Sequence, residues 1–535
     1  MCRKLNKLKI LALFFFLPFF QAGGQHDPVI LGLNAINEDV LRAQLGFLAS
    51  DWMEGRQTGE KGEYLAADYI ASMLQLFGVK PGGDYPRSRV SSFVPEGTGR
   101  SYFQNFVLLK TSDGEDQILK VICGEGSATT TLNLVYNVDF ISRNTASDIE
   151  IEAPVVFAGY GFRNDKIKYN DFAKLDVKGK FILKIAGIPD FVTRQLSTSE
   201  ILASVRETET MLREAGAAGI LEFNPSSKVT GTPVRPEFLN LSPAEGNPNA
   251  GRRFPDYSLP GTTAPGVFPR ITVSVKTANE ILRGTGISWE EYKKRSDANQ
   301  PNKIQALKGR SLFYKSENKT TPVTVRNVIG VIEGNNQDEI IVLGAHYDHM
   351  GMENGYIWNG ADDNGSGTVG IMTMAKAIMA TGQKPDKTII IALWTAEEAG
   401  LLGSRHYVDN LAWPAGRIKF NLNLDMISRY ISDDDRNKVI MTYTSSRPEF
   451  RDITEANIKR HGIELVVDYQ PSDNPPGGSD HRSFVAAGIP IMRFKPGHRQ
   501  EYHTPADELR TINWDIMEKI VKICFANVWE LANGE

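Results

Sequence analysis

Strand-like and helical segments alternate regularly from Val325 onward. Apolar segments of strand length cover 340–344, 388–394 and 419–424, and a segment with helical spacing, 369–380, lies between the first two. Such alternation predicts an α/β fold with a mostly parallel mixed sheet flanked by helices. Reactive groups in these sheets collect beyond the carboxyl ends of the strands, and short polar motifs follow these three segments.

Composition and charge indicate a folded globular protein and argue against a nucleic-acid-binding one. The chain has 535 residues, of which 41% are hydrophobic and 23% charged, so it can build more than one buried core. Its formal net charge is -4, and the sequence has no basic block or Arg/aromatic stripe of the kind that binds phosphate backbones. We therefore expect no nucleic-acid partner.

The first 24 residues have the anatomy of a secretory signal peptide. Basic residues between Arg3 and Lys9 precede an apolar run at 10–20, and 22–24 supplies small residues for cleavage. A membrane-spanning helix needs roughly 20 apolar residues, and this run is shorter. We therefore expect removal of 1–24 and a periplasmic or secreted protein without stable membrane insertion.

Cysteine is scarce in the remaining chain. Cys123 and Cys524 are too few for a disulfide framework, and neither has the CxxC spacing of a zinc or redox site. The sequence leaves open whether the two pair. Any metal ion must therefore be bound by histidines and carboxylates.

The region before 127 predicts two helices within 37–77 and then strands from 102, with a turn at Asp113-Gly114. Between 127 and 307 the pattern predicts short strands and one helix. The strands are expected at 154–159, 180–185 and 219–223, and the helix near 199–217. The motifs AGYGF at 158–162, KGK at 178–180 and AGAAG at 215–219 resemble a protease-associated domain, a module often inserted in secreted peptidases.

Polar motifs that follow the first predicted strand combine imidazole and carboxylate groups. In His346-Tyr347-Asp348 a carboxylate can hold one ring nitrogen while the other binds zinc, and His349 beside it is interpreted as a bystander. The motif GADDNGSG at 360–367 contains Asp363 among small residues that allow close approach to a charged centre. Alone, these motifs also fit a strand-end turn and a helix N-cap.

Acidic residues and a second histidine follow the later segments. Glu397 and Glu398 come after 388–394, where one acid can bind a metal ion and the other can move protons, although paired glutamates also occur at exposed helix starts. Asp425 comes after 419–424, and Tyr502-His503 precedes the C-terminal helix, where a capped helix entry is the alternative. Taken together, two histidines within acidic motifs indicate joint metal binding.

In this order, the five motifs resemble the co-catalytic di-zinc family of bacterial leucyl aminopeptidases and aminopeptidase S, which includes glutamate carboxypeptidases and glutaminyl cyclases. The resemblance extends from the catalytic region to the C-terminus and implies a zinc exopeptidase fold with two zinc ions per chain. It implies His346 and Asp425 on one zinc, Glu398 and His503 on the other, and Asp363 bridging both.

The resemblance also implies how the chain acts. Glu397 matches the general base, Asp348 the partner of His346, and Tyr502 a stabiliser of the oxyanion, and a cis peptide bond is implied after Asp363. The reaction implied is removal of N-terminal residues from peptides by a metal-bridging hydroxide.

Three alternatives stay open: a carboxypeptidase or dipeptidase with the same site, a glutaminyl cyclase, and a non-catalytic binding module. The complete ligand set argues against the binding module, and the two-metal set argues against the cyclase because the family's cyclases work with a single zinc. Aminopeptidase and carboxypeptidase differ in whether the pocket offers acids for an ammonium or Arg/Lys for a carboxylate. The motif GSDH at 478–481 fits a turn and a substrate contact equally well.

The expected domain organisation follows from these motifs. We predict a signal peptide at 1–24, the N-terminal part of the catalytic domain at 25–126, a protease-associated-like insert at 127–307 and the di-zinc catalytic domain at 308–535. The sequence specifies neither the side-chain preference nor the oligomeric state.

Overall fold

The computed structural model describes most of the chain after the predicted signal peptide, which lies outside the described residues. The described residues are 27–85, 99–124, 129–136, 138–142, 147–225, 255–262, 268–300, 302, 305–353, 355–497 and 499–534.

The α-helices are α1 (Pro28–Asn34), α2 (Glu38–Leu48), α3 (Lys61–Leu76), α4 (Asp190–Thr193), α5 (Thr198–Glu214), α6 (Val275–Leu282), α7 (Trp289–Asp297), α8 (Gly367–Ala380), α9 (Leu402–Asp409), α10 (Glu449–His461), α11 (His481–Ala486) and α12 (Trp514–Asn533). The strands are β1 (Lys80–Pro81), β2 (Phe103–Cys123), β3 (Thr130–Leu134), β4 (Phe140–Ser142), β5 (Ile149–Phe157), β6 (Arg163–Asn164), β7 (Tyr169–Asn170), β8 (Phe181–Ile185), β9 (Gly219–Phe223), β10 (Asp256–Ser258), β11 (Arg270–Val273), β12 (Gln305–Ile332), β13 (Asn336–His346), β14 (Gly351–Glu353), β15 (Tyr356–Trp358), β16 (Lys387–Trp394), β17 (Ile418–Leu424), β18 (Lys438–Tyr443), β19 (Val466–Pro471) and β20 (Ile491–Lys495).

The part of the sheet that carries the site consists of four neighbouring parallel strands, β16, β13, β17 and β20. Strand β12 pairs antiparallel with β16, and β18 pairs antiparallel with β20. Alternate residues of β13 face opposite sides: Ile341 and Leu343 pack in the core with α2, α3, α8 and α12, whereas Ile340 and Val342 pack in the core with α9 and α11. The predicted α/β fold with a mostly parallel sheet flanked by helices is confirmed.

A second hydrophobic core lies around the parallel strands β5, β8, β9 and β11. The predicted strand at 219–223 coincides with β9, and those at 154–159 and 180–185 overlap β5 and β8. Strands β2 and β12 contribute to both cores: Phe103 and Val328 to the first, Leu119 and Tyr314 to the second. The boundaries at 127 and 307 stay a prediction, and the two long strands join the parts on either side of them.

The turn predicted at Asp113-Gly114 is wrong, because β2 continues through it. The pairing with β12 passes from Gln117↔Ser316 to Asp113↔Asn318, so residues 114–116 lie opposite Glu317 in a bulge. A Cβ at Gly114 would lie 2.7 Å from the Cβ of Glu317, so this close approach requires glycine. The glycine that signals a turn in the sequence permits a bulge in the structure.

Both remaining cysteines are free thiols. Cys524 is buried in α12 and Cys123 is half-buried at the end of β2.

Candidate metal centre

The candidate site lies where three neighbouring strands end. Strand β13 ends at His346, β17 ends directly before Asp425, and β16 ends at Trp394, just before Glu397. Because β16, β13 and β17 are parallel neighbours, their carboxyl ends meet at one edge of the sheet. The fold therefore places side chains together that are far apart in the sequence.

The first group of ligand-type side chains surrounds the ring of His346. Its Nε2 lies 3.5 Å from Asp363 Oδ1, 3.8 Å from Asp425 Oδ1 and 3.9 Å from Glu397 Oε2. His346, Glu397 and Asp425 offer atoms close enough to one another to hold one metal ion.

The second group forms around Glu398. Nε2 of His503 lies 3.1 Å from Asp363 Oδ2 and 3.2 Å from Glu398 Oε2. Nδ1 of His349 lies 2.9 Å from Glu398 Oε1 and 4.0 Å from Asp363 Oδ2. His349, interpreted from the sequence as a bystander, is thus part of a second potential metal site with Asp363 and Glu398.

The two groups share Asp363, whose two carboxylate oxygens face different groups. Burial of several carboxylates side by side is unfavourable unless cations compensate their charge. Asp425 Oδ1 is buried and has no hydrogen-bond partner among the described residues. Histidine nitrogens and carboxylate oxygens are zinc ligands in proteins, so these side chains fit bound zinc.

The acidic groups differ in their proton affinity. Burial raises the pKa of Glu397 well above 4.5; the charge of His346 opposes this rise and that of Glu398 adds to it. Burial also acts to raise the pKa of Asp363, but hydrogen bonds with His346 and His503 hold it well below 3.8.

Asp348 contacts both the backbone of the loop that bears Glu397 and Glu398 and the ring of His346. Its carboxylate accepts hydrogen bonds from the N–H groups of Glu397 at 3.0 Å and Glu398 at 3.3 Å, and from the Thr58 hydroxyl at 3.1 Å. Nδ1 of His346 lies closer to the Asp348 carbonyl oxygen, at 3.2 Å, than to its carboxylate, at 3.7 Å. The carboxylate thus also fixes the loop that bears both glutamates.

Hydrogen bonds fix the loop that carries Asp363. The Asp507 carboxylate accepts one from the N–H of Asp362 and one from the N–H of Asp363, each at 2.9 Å. The side chain of Asn364 donates to the Leu424 carbonyl oxygen at 3.0 Å, which joins this loop to the end of β17. The cis peptide bond expected between Asp363 and Asn364 is present.

Three further residues in the loops that carry the site have a positive φ. They are Ala396 at 55°, Met426 at 59° and His503 at 55°. Residues other than glycine rarely adopt this backbone conformation, and those that do concentrate at functional sites. The sharp turns here direct Glu397, Asp425 and His503 toward one another.

Arg56 is a buried residue that the sequence did not single out. Its guanidinium donates to the carbonyl oxygens of Tyr347 at 2.7 Å, Leu48 at 2.6 Å, Asn359 at 2.7 Å and Gly360 at 2.9 Å. It therefore ties the loop after His346 to the loop before Asp363. A lone arginine in a glycine-containing loop carries no sequence signal for this role.

The two groups of ligand-type side chains line a cavity of about 620 Å³. Tyr502 lines it with 42% of its surface exposed, and its ring stacks on that of His503 with centroids 3.8 Å apart. Gly478 also lines the cavity, whereas His481 is fully buried behind it.

A mostly parallel sheet whose carboxyl edge carries adjoining groups of histidine and carboxylate side chains defines the zinc exopeptidase fold class. Residues 327–528 match the model of peptidase family M28.

Curated relatives align over the same part of the chain. Leucine aminopeptidase 2 of Arthroderma otae is 36% identical over 186 residues, which are 34% of this chain and 34% of the relative. Aminopeptidase YwaD of Bacillus subtilis is 30% identical over 224 residues, 40% of this chain and 46% of the relative. The chain thus spans between a third and a half of the length of these relatives.

Solved structures share the fold over nearly the entire chain. The aminopeptidase from Aneurinibacillus sp. strain AM-1 has a TM-score of 0.58 and 19% identity, over 95% of this chain and 97% of that one. The zinc aminopeptidase BSAP from Bacillus subtilis has a TM-score of 0.54 and 20% identity, over 94% and 96%.

Proposed function

We propose that this chain is an exported zinc-dependent exopeptidase, an aminopeptidase that removes N-terminal residues from peptides. The observation that carries the proposal is the position of Asp363, with one oxygen facing His346 and the other facing His503. In this arrangement His346 and Asp425 would hold one zinc, Glu398 and His503 would hold the other, and Asp363 would serve both.

His503 is assigned as a ligand in preference to His349 for a geometric reason. Its Nε2 lies within 3.2 Å of carboxylate oxygens of both Asp363 and Glu398, whereas Nδ1 of His349 is 4.0 Å from Asp363. His349 then orients Glu398 by its 2.9 Å contact.

Each polar side chain has a place in the hydrolysis of a peptide bond. Bound zinc supplies Lewis acidity, which lowers the pKa of water and polarises the substrate carbonyl. Glu397 takes the proton of the attacking water and delivers it to the leaving amine. The Tyr502 hydroxyl donates a hydrogen bond to the carbonyl oxygen as negative charge develops on it.

Aminopeptidase activity is favoured over the alternatives by the matched relatives, which are named aminopeptidases. The cavity itself is lined both by acids and by the cations Arg493 and Lys495. Carboxylates beside the metal site attract the ammonium group of a free N-terminus. A carboxypeptidase or dipeptidase would use the same metal site, whereas a glutaminyl cyclase needs a single zinc and a binding module needs none.

We expect the purified protein to contain about two zinc ions per chain and to lose activity in a chelator, because the ligands span two adjoining groups. Metal analysis before and after chelation, followed by re-addition of zinc, measures both. Full activity in a protein free of metal would contradict the mechanism.

Acetylation of the substrate amine should lower kcat/KM at least roughly tenfold. An ammonium buried beside carboxylates gains a charge-assisted contact worth about 1.5–3 kcal/mol, and the acetyl group removes that charge. The comparison uses one peptide in free and N-acetylated forms, with the position of the cut determined by mass spectrometry. Equal trimming of both forms from the C-terminus would identify a carboxypeptidase with the metal site unchanged.

We also propose that the signal at 1–24 directs the protein to the periplasm or the exterior, and that 25–126 and 308–535 form the catalytic domain around the insert 127–307. Among the described residues, the helices are all too short or too polar to cross a membrane.

A further inference from the structure

Two cations face the same cavity as the acidic metal ligands. Arg493 and Lys495 lie on β20, next to the end of β17, and both line the cavity. Phe494 between them points to the opposite side of the sheet, into the hydrophobic core. The two-residue period of the strand thus directs both cationic side chains toward the metal site.

Arg493 is a buried cation that has no acidic partner within 4.0 Å among the described residues. It is only 9% exposed, and its guanidinium contacts the Pro476 carbonyl oxygen and His481 Nε2, each at 3.4 Å. Within the described part of the chain no carboxylate lies within 4.0 Å of its nitrogens. Buried guanidinium groups are normally paired with carboxylates or phosphates, so this position lacks an anion.

Lys495, two residues further along β20, is half-buried. Its Nζ contacts Met426 Sδ at 3.4 Å, and the described residues provide no ion-pair partner within 4.0 Å. The nearby charge of Asp425 acts on both cations, but a zinc ion held by Asp425 would compensate that charge. The cations then remain available to a negatively charged group of the substrate.

We propose that Arg493 and Lys495 bind a carboxylate of the substrate, so that the enzyme favours peptides with an acidic group next to the scissile bond. This inference rests on the proposed exopeptidase function. The carboxylate has two sources: the side chain of an N-terminal Asp or Glu, or the α-carboxylate of a dipeptide.

The first measurement compares substrates that differ only in the carboxylate. Zinc-loaded full-length enzyme is assayed with Glu-, Gln- and Leu-p-nitroanilide, and with Leu-Gly and Leu-Gly-amide. A side-chain source predicts at least roughly tenfold higher kcat/KM for Glu over Gln, and a main-chain source predicts the same for Leu-Gly over its amide. Absence of both preferences overturns the proposal.

Variants then assign the preference to the two cations. We expect Arg493→Met and Lys495→Met each to reduce the preference roughly tenfold with the zinc content unchanged, and Arg493→Lys to retain part of it. Lys384→Met removes a charge from an exposed loop just before β16, at the opposite edge of the sheet, and should change nothing. A preference that persists in both Met variants overturns the proposal, and Lys495→Met decides alone if Arg493→Met does not fold.

Calorimetric titration separates this inference from the proposed function. Free L-glutamate and L-glutamine are titrated into the wild type and the variants. If the enzyme cleaves none of the substrates, the aminopeptidase proposal fails, while tighter binding of glutamate that depends on Arg493 or Lys495 still supports the carboxylate site. Binding of both amino acids that stays unchanged in Arg493→Met and in Lys495→Met overturns the carboxylate site.

Discussion

Glu397→Gln is expected to keep both zinc ions and to lower turnover by roughly 10²–10⁴-fold, the usual contribution of a positioned general base. Gln has the shape of Glu but cannot accept the proton of the attacking water. The backbone N–H of residue 397 still donates to Asp348, so the loop should keep its conformation. Turnover is measured by steady-state kinetics and zinc by elemental analysis of the same sample.

The adjacent residue supplies a matched control for this variant. Glu398→Gln makes the same chemical change at the proposed ligand, so it should lose zinc from the group that includes His503. Zinc loss in the Glu397 variant with retention in the Glu398 variant would show that the two glutamates have exchanged roles.

Asp363→Ala is expected to lower the occupancy of both metal positions and to reduce turnover at least as far as Glu397→Gln. Its two oxygens serve both groups, so removal of the carboxylate weakens each of them. Asp425→Ala removes a ligand from one group alone and should chiefly weaken one zinc. Zinc titration of the metal-free variants, in which the two successive binding steps are resolved, distinguishes the two cases. Asp363→Ala should weaken both steps and Asp425→Ala chiefly one.

Asp362→Asn is the matched control beside the bridge. Asp362 accepts hydrogen bonds from Ser428 rather than facing the histidines, and its N–H still donates to Asp507 in the variant. Both zinc ions should remain. Equal zinc content in the wild type and Asp363→Ala would remove the bridging assignment.

The sheet and the main site residues are predictable from the sequence because they depend on local patterns. The strand that ends at Trp394 is a continuous apolar run, and acids that follow such a run must lie at the sheet edge. The same reasoning places His346 and Asp425 at neighbouring strand ends.

The supporting contacts are not predictable in this way because they join residues that are distant in the sequence. Arg56 donates hydrogen bonds to the backbone carbonyl oxygens of residues 347, 359 and 360. Every residue has a backbone carbonyl group, so no pattern of side chains in the sequence identifies these partners. His349 contacts Glu398 only because two loops converge, and Asp507 binds the backbone of the Asp363 loop from 144 positions away.

The contacts of Arg56 also constrain the order in which the chain acquires its structure. The arginine is separated from its partner Tyr347 by 291 positions, and Gln44 is separated from Thr373 by 329. During synthesis the N-terminal helices therefore emerge long before the strands against which they pack, and closing such long loops has a large entropic cost. Strands β5, β8, β9 and β11 pair over shorter separations, so their core can form first and bring the two distant parts of the chain together.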